Sequence, residues 1–323
     1  MVTHAPEETG HIWQVISIFS PCEGVFHCVP RLTSGSDPVR ARGAAAARAF
    51  VVVGVDGSPA SLTAVRLAAR EAALHSRPLR VVHSFNWLGD PAEPTPSRTR
   101  EPAEALLDQA VATAVETQPN LAVTAALIEG PVLTTLLRES GSAALLAVGD
   151  GGLAPNPNVP ADTDTIAVQL ASRAGCTVLV ARERPPTPGP VLVGVDGSPS
   201  SLCALDFAFD TASRRAAELV VVQVWNPDER TGDVPARAAD RLAETVAPWQ
   251  RRYPLVRVDQ RVRAGAPETA LVEEAHRAEL VVVSSRGDEP WRGMIGAVSQ
   301  AVLYHAPAPV IVVRGSHGLY IQQ

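Results

Sequence analysis

The chain has 323 residues, 46% of them apolar, with a mean hydropathy of +0.08 and a formal net charge of −6. That length and apolar content can fill two cores of ordinary size, and the acidic balance supplies no basic field for nucleic acid as a principal partner. All 28 basic residues are arginine, which excludes a Walker A lysine, a protein kinase and a pyridoxal Schiff base, all of which need an amine.

Residues 1–49 match nothing downstream. The apolar part, Ile12 to Val29, is broken by Pro21 and Glu23 and preceded by Glu7 and Glu8, which fits a signal peptide badly. Ser34 to Ala49 reads as a Gly/Ser/Arg/Ala linker, so the segment is expected to be a poorly ordered extension. No run approaches the roughly 20 apolar residues that cross a bilayer, and no membrane partner is expected. Cys22, Cys28, Cys176 and Cys203 show neither C-x-x-C spacing nor a neighbouring His cluster. The expectation is a reduced, cytoplasmic protein without a metal centre.

A first domain is expected over residues 50–182. Apolar runs predict strands at Phe50 to Val55, Leu79 to Phe85, Leu121 to Ile128, Ala144 to Val148 and Thr177 to Ala181. Helical spacing lies between them at Ser61 to His75, Pro102 to Glu116, Val132 to Ser140 and Thr165 to Arg173. Five alternations of strand and helix call for right-handed crossovers and a parallel sheet. Residues 183–190 are a proline-rich linker, residues 191–314 a second domain, and residues 315–323 a tail. The second set of strands is predicted at Val191 to Val195, Glu218 to Trp225, Leu255 to Val262, Leu280 to Val283 and Pro309 to Val313.

The two domains are copies. Val51-Val-Val-Gly-Val-Asp56-Gly-Ser-Pro returns as Val191-Leu-Val-Gly-Val-Asp196-Gly-Ser-Pro, 140 residues later. Ser58 and Ser198 suit an N-cap, and Pro59 and Pro199 a first helical turn. Gly265 follows Gly130 by 135 residues, as Ser284 follows Gly149, and Arg314 follows Arg182 by 132. Strands keep step while loops shorten.

Each aspartate therefore stands at the carboxyl end of a first strand, where open α/β sheets bind ligands. It accepts hydrogen bonds, which suits a ribose hydroxyl or a base amine, or it only closes an Asx-turn. After the fourth strand of the second copy, Ser284 to Ser299 carries Arg286, Gly287, Arg292, Gly293 and Gly296 before a helix. Such a loop offers backbone N–H groups, a helix dipole and guanidinium groups to an anion, or simply builds tight turns. Phosphate at one end and sugar or base at the other describe a nucleotide. His83 reads as a packed strand residue, and His305 suits a helix C-terminus.

The repeated V-G-V-D-G-S, the strand ends His83-Ser-Phe and Gln223-Val-Trp, Gly265, and Gly287 to Ser299 followed by Ala306-Pro-Ala-Pro-Val-Ile-Val-Val together resemble the universal stress protein family in its tandem form. The likeness covers Phe50 to Arg314. It implies α/β architecture, two doubly wound domains, each a five-stranded parallel sheet in the order 3-2-1-4-5 with helices on both faces. It implies stress-related expression, pairing of the two fifth strands as an internal pseudo-dimer, and association of two chains as a homodimer.

The family's nucleotide-binding members resemble one another in G-x-x-G-x9-G-[ST]. Carried over, the resemblance nominates Asp196, Val224, Gly287, Gly296 and Ser299 in the second copy, to which the reading of the loop adds Arg286 and Gly293, and Asp56, Ser84, Gly149 and Gly152 in the first. The implied ligand is ATP, with magnesium accompanying the phosphates. Both copies depart from the pattern. In the second, Ser284 takes the first glycine, eight residues separate Gly287 from Gly296, and Ala297 replaces the hydroxyl residue. In the first, Gly149-Asp-Gly-Gly152 survives, but Asp164-Thr165 stands where Gly-Ser is expected, and a carboxylate there would repel phosphate. The leading expectation is a non-enzymatic ATP-binding module with the second domain the stronger site. An interaction module with decayed sites is the alternative. A slow ATPase is a third, with no base beside a candidate nucleophile to support it.

Overall fold

The computed structural model describes residues 50–85, 101–151, 153, 165–225, 235–285 and 295–314. In the first domain β1 (Val51–Gly54), α1 (Pro59–Leu74), β2 (Leu79–Phe85), α2 (Glu101–Thr117), β3 (Val123–Glu129), α3 (Val132–Ser140), β4 (Leu145–Gly149), α4 (Ile166–Arg173) and β5 (Thr177–Ala181) alternate. The second domain repeats them as β6 (Val191–Val195), α5 (Pro199–Arg215), β7 (Leu219–Trp225), α6 (Pro235–Arg252), β8 (Val258–Ala264), α7 (Pro267–Ala275), β9 (Leu280–Ser284), α8 (Ala297–His305) and β10 (Val310–Val313).

The strands form one sheet, ordered β3-β2-β1-β4-β5-β10-β9-β6-β7-β8. Each half runs in the expected order 3-2-1-4-5. All pairings are parallel except β5 with β10, which is antiparallel with Ile311 opposite Leu179. The fifth strands thus meet edge to edge, and neither is left as an open edge.

The central strands are apolar without alternation because both faces are covered. Val51 and Val53 face the layer of α1, α2, α5 and α6, and Val52 faces the other layer, with Leu136, Leu170 and Leu303. Both apolar layers continue across β5 and β10, so the two domains share their cores.

The third strand begins later than its apolar run in both copies. Leu121 N–H donates to the Gln118 carbonyl and Val256 N–H to Tyr253, so these residues close turns after the preceding helices. Leu255 is 95% exposed, an apolar residue spent on a turn rather than on the sheet.

Candidate functional site

The order 3-2-1-4-5 reverses direction between β1 and β4, and again between β6 and β9, and the carboxyl ends of strands at such a switch point are where open α/β sheets bind ligands. Asp56 and Asp196 stand at the exits of β1 and β6. In each, Oδ1 accepts the N–H of the serine two residues on, Ser58 or Ser198, at 2.9 Å. The intervening Gly57 and Gly197 take φ +83°, a conformation open to glycine. Ser58 and Ser198 then cap α1 and α5 by accepting the N–H of Ser61 and Ser201 at 3.1 Å.

Partial burial would raise the pKa of both carboxyls, but hydrogen bonds from Ser58 and Ser61, or from Ser198 and Ser201, outweigh it and hold them below the ordinary aspartate value. Both are anions at neutral pH. Each aspartate thus closes an Asx-turn through Oδ1, and a carboxylate retains further lone pairs beyond that one bond.

The second strands differ between copies. Ser84 Oγ donates to the Gly130 carbonyl at 2.6 Å and lies 3.4 Å from Thr135 Oγ1. Val224 takes the matching place and packs against the apolar layer of α7 and α8. His83 Nδ1 lies 2.7 Å from the Val55 carbonyl, so that nitrogen carries the proton and donates, tying the two strand ends together. The packed reading of His83 fits this geometry.

At the fourth strands the copies diverge again. Gly149 brings β4 so near α1 that a Cβ would meet Ser61 N at 2.9 Å. Its counterpart Ser284 carries a side chain, and its carbonyl accepts Ser299 Oγ at 2.6 Å while Gly296 N–H donates to the Ser285 carbonyl at 3.0 Å. These two bonds clasp the base of the loop to the start of α8. Gly152, Asp164, Arg286, Gly287, Arg292 and Gly293 lie outside the described residues.

The helices that follow differ in their caps. Thr165 Oγ1 accepts Val168 N–H at 3.4 Å and closes α4, whereas Gly296 gives α8 no side-chain cap among the described residues. Gly296 has no side chain to accept from the first-turn N–H groups of α8, and helix N-termini of this kind suit an anion.

Two features escaped the sequence reading. The Ser84–Thr135 hydroxyl pair was visible only in the contrast with Val224 and Ala270 at the matching positions. Arg182, treated as a domain boundary, is buried and reaches the other domain, donating to the Leu303 carbonyl at 2.6 Å. Its signal was Pro307, which stands four residues after Leu303 and has no N–H to give that carbonyl. Among the described residues no helix is long and apolar enough to cross a membrane.

Comparison with known proteins agrees with this architecture. The sequence profile of the universal stress protein family matches residues 50–182 and again 188–314. A universal stress protein of Mycolicibacterium smegmatis is 38% identical over 82% of this chain and 96% of its own. One from Mycobacterium tuberculosis is 36% identical over the same shares. Among solved structures, a universal stress protein from Archaeoglobus fulgidus superposes with a TM-score of 0.64 at 15% identity, covering 83% of this chain and 97% of its own, a likeness of fold. With two matches in tandem and relatives that align along almost their full length, the chain belongs to the universal stress protein family, in its two-domain form.

Proposed function

We propose that this chain is a non-enzymatic adenine-nucleotide-binding module of the stress response, taking ATP in its second domain. The observation that carries the choice of domain is the pair of caps: α4 is closed by its own Thr165, and α8 opens on Gly296 without a side-chain acceptor. An anion completes the second helix and would have to displace a bond at the first.

In this reading Asp196 Oδ2 accepts from the ribose or the base, Val224 packs against the base, and the N–H groups that open α8 hold phosphate. Gly287, Gly293 and Arg286 would supply the rest of the cradle, and magnesium accompanying the nucleotide would neutralise phosphate charge. Bound nucleotide marks a state rather than turning over, since no general base stands beside a nucleophile among the residues nominated. A cytoplasmic location and pairing of two chains as a homodimer belong to the same reading.

One observation favours the alternative of an interaction module with decayed sites. Ser299, the hydroxyl nearest the motif position, already gives its proton to Ser284. Purified protein, denatured in acid and analysed by chromatography, separates the two. About one ATP per chain supports the binding module; no released nucleotide and no rise in melting temperature with added ATP supports the interaction module. A large ADP fraction, reproduced as turnover with fresh ATP, would show an enzyme.

A further inference from the structure

The two domains hold each other's last helix. Arg182, just past the end of β5, sends Nη2 to the Leu303 carbonyl of α8 at 2.6 Å and Nε to the Ala308 carbonyl at 3.3 Å. Arg314, 132 residues later at the end of β10, sends Nη1 to the Ala171 carbonyl of α4 at 2.8 Å. Ala171 and Leu303 are also 132 residues apart, so the exchange obeys the internal pseudo-twofold.

Each arginine fills a gap in a helix C-terminus. The N–H that would meet Leu303 O belongs to position 307, which is proline. The N–H that would meet Ala171 O belongs to Gly175, which donates instead to Ser140 Oγ at 2.9 Å. A guanidinium at the negative end of a helix dipole is favourable, and the carbonyl it satisfies would otherwise be an orphan.

The symmetry breaks at the next contact. Arg182 Nη1 lies 4.0 Å from Asp150 Oδ2, in the first domain's loop between Gly149 and Gly152. The matching residue in the second domain is Ser285, which carries no charge. Burial pushes the Arg182 guanidinium down to about 10, with Asp150 opposing, so it stays charged at neutral pH. A buried cation thus joins the fourth-strand loop of one domain to the helix whose other end opens at the candidate ligand site of the next.

We propose that Arg182 is a positioning residue for the second domain's ligand site, supplied by the first domain, and that Asp150 holds it in place. By fixing the C-terminus of the nine-residue α8, it sets where the first-turn N–H groups that follow Gly296 stand toward a phosphate. The link to phosphate rests on the nucleotide reading above; the hold on α8 does not.

The test uses the full chain with Arg182→Lys and Arg314→Lys. Lysine keeps the charge facing Asp150 but lacks the planar fork that reaches two carbonyls at once. Amide hydrogen exchange without ligand should speed up about tenfold within α8 for Arg182→Lys and within α4 for Arg314→Lys. ATP titration should show Kd raised about tenfold by Arg182→Lys and changed less than about twofold by Arg314→Lys. Asp150→Asn, which leaves every backbone bond in place, should move both readouts the same way as Arg182→Lys and less far. Unchanged exchange in α8, or equal loss of ATP affinity in the two lysine variants, overturns the proposal. If the wild-type chain takes no ATP, the nucleotide reading falls, and exchange alone decides whether Arg182 holds α8.

Discussion

Glu71 of α1 and Arg215 of α5 form an ion pair across the domain boundary with both side chains buried, the carboxylate at 1% exposure and the guanidinium at 9%. Arg215 also reaches Glu279 at 2.5 Å, and His75 lies 3.5 Å from the second oxygen of Glu71. By the repeat, Arg215 matches His75 and Glu71 matches Thr211, so this buried pair joins two positions that differ between the copies and has no charged counterpart on the other side of the pseudo-twofold. Glu71→Ala leaves the guanidinium, among the described carboxylates, with the more exposed Glu279 and should cost about 3–5 kcal/mol, as broken buried pairs do. Urea denaturation measures it, and a loss below about 1 kcal/mol, the range of exposed pairs, would show that the pair is not the clamp.

The same carboxylate gives a pH dependence. Burial would raise the Glu71 pKa, but the contact from His75 and the charge of Arg215 outweigh it and hold it below the ordinary glutamate value of 4.5. The unfolded chain then binds this proton before the folded one does, so its contribution is full above about pH 4.5 and is lost as pH falls through the folded value. Denaturation midpoints collected from pH 7 downward should drop more steeply in wild type than in Glu71→Gln. Parallel curves would remove Glu71 from the acid transition.

Gly149 and Gly194 are both crowded, but by different atoms. A Cβ on Gly149 meets the backbone of α1, Ser61 N at 2.9 Å and Ala60 C at 3.0 Å, whereas one on Gly194 meets Leu271 Cδ1 at 2.8 Å. Backbone in a capped first turn cannot yield, and a leucine methyl can turn away. Gly149→Ala should therefore cost about 2–3 kcal/mol and Gly194→Ala about 1. Equal melting shifts would mean that the β4–α1 approach is softer than its geometry.

How far the sequence was legible follows from the range of the forces. Repeated apolar runs closed by Asp-Gly-Ser-Pro set strand, turn and helix locally, whereas the sheet order came only from the resemblance to the family. Asp56 and Asp196 could be placed at strand ends by those same runs. Arg182 and Glu71 could not, because their partners lie 121 and 144 residues away and a charged residue near a helix end reads as solvated. Thr165 was noticed as a departure from motif, but its role as a cap depends on where α4 begins.

Asp196→Ala should remove most nucleotide binding while Asp56→Ala leaves it nearly intact. Both changes delete the same 2.9 Å bond to a serine N–H, so both should lower stability by a similar amount of about 1 kcal/mol. That shared loss makes the pair its own control: binding lost through unfolding would follow melting temperature, and binding lost through the site would not. Calorimetric titration at a temperature well below both transitions reads the difference. Equal affinities in the two variants contradict the assignment to the second domain.

Ser299→Ala separates the two readings of the second site. Ser299 is 7% exposed, and its hydroxyl proton goes to the Ser284 carbonyl. Removing it takes one hydrogen bond from the half-buried Ser284 carbonyl, which should cost about 1 kcal/mol and loosen the join between β9 and the start of α8. If the hydroxyl serves only as this clasp, Ser299→Cys, which keeps a weak donor of similar shape, should recover part of the stability and ATP affinity should recover in proportion. If the hydroxyl also meets phosphate, stability should return without affinity, because a thiol is a poor donor to an anion. Urea melts and ATP titrations of the two variants tell these apart. A variant that keeps wild-type values of both quantities would mean that the clasp carries no load in the folded protein.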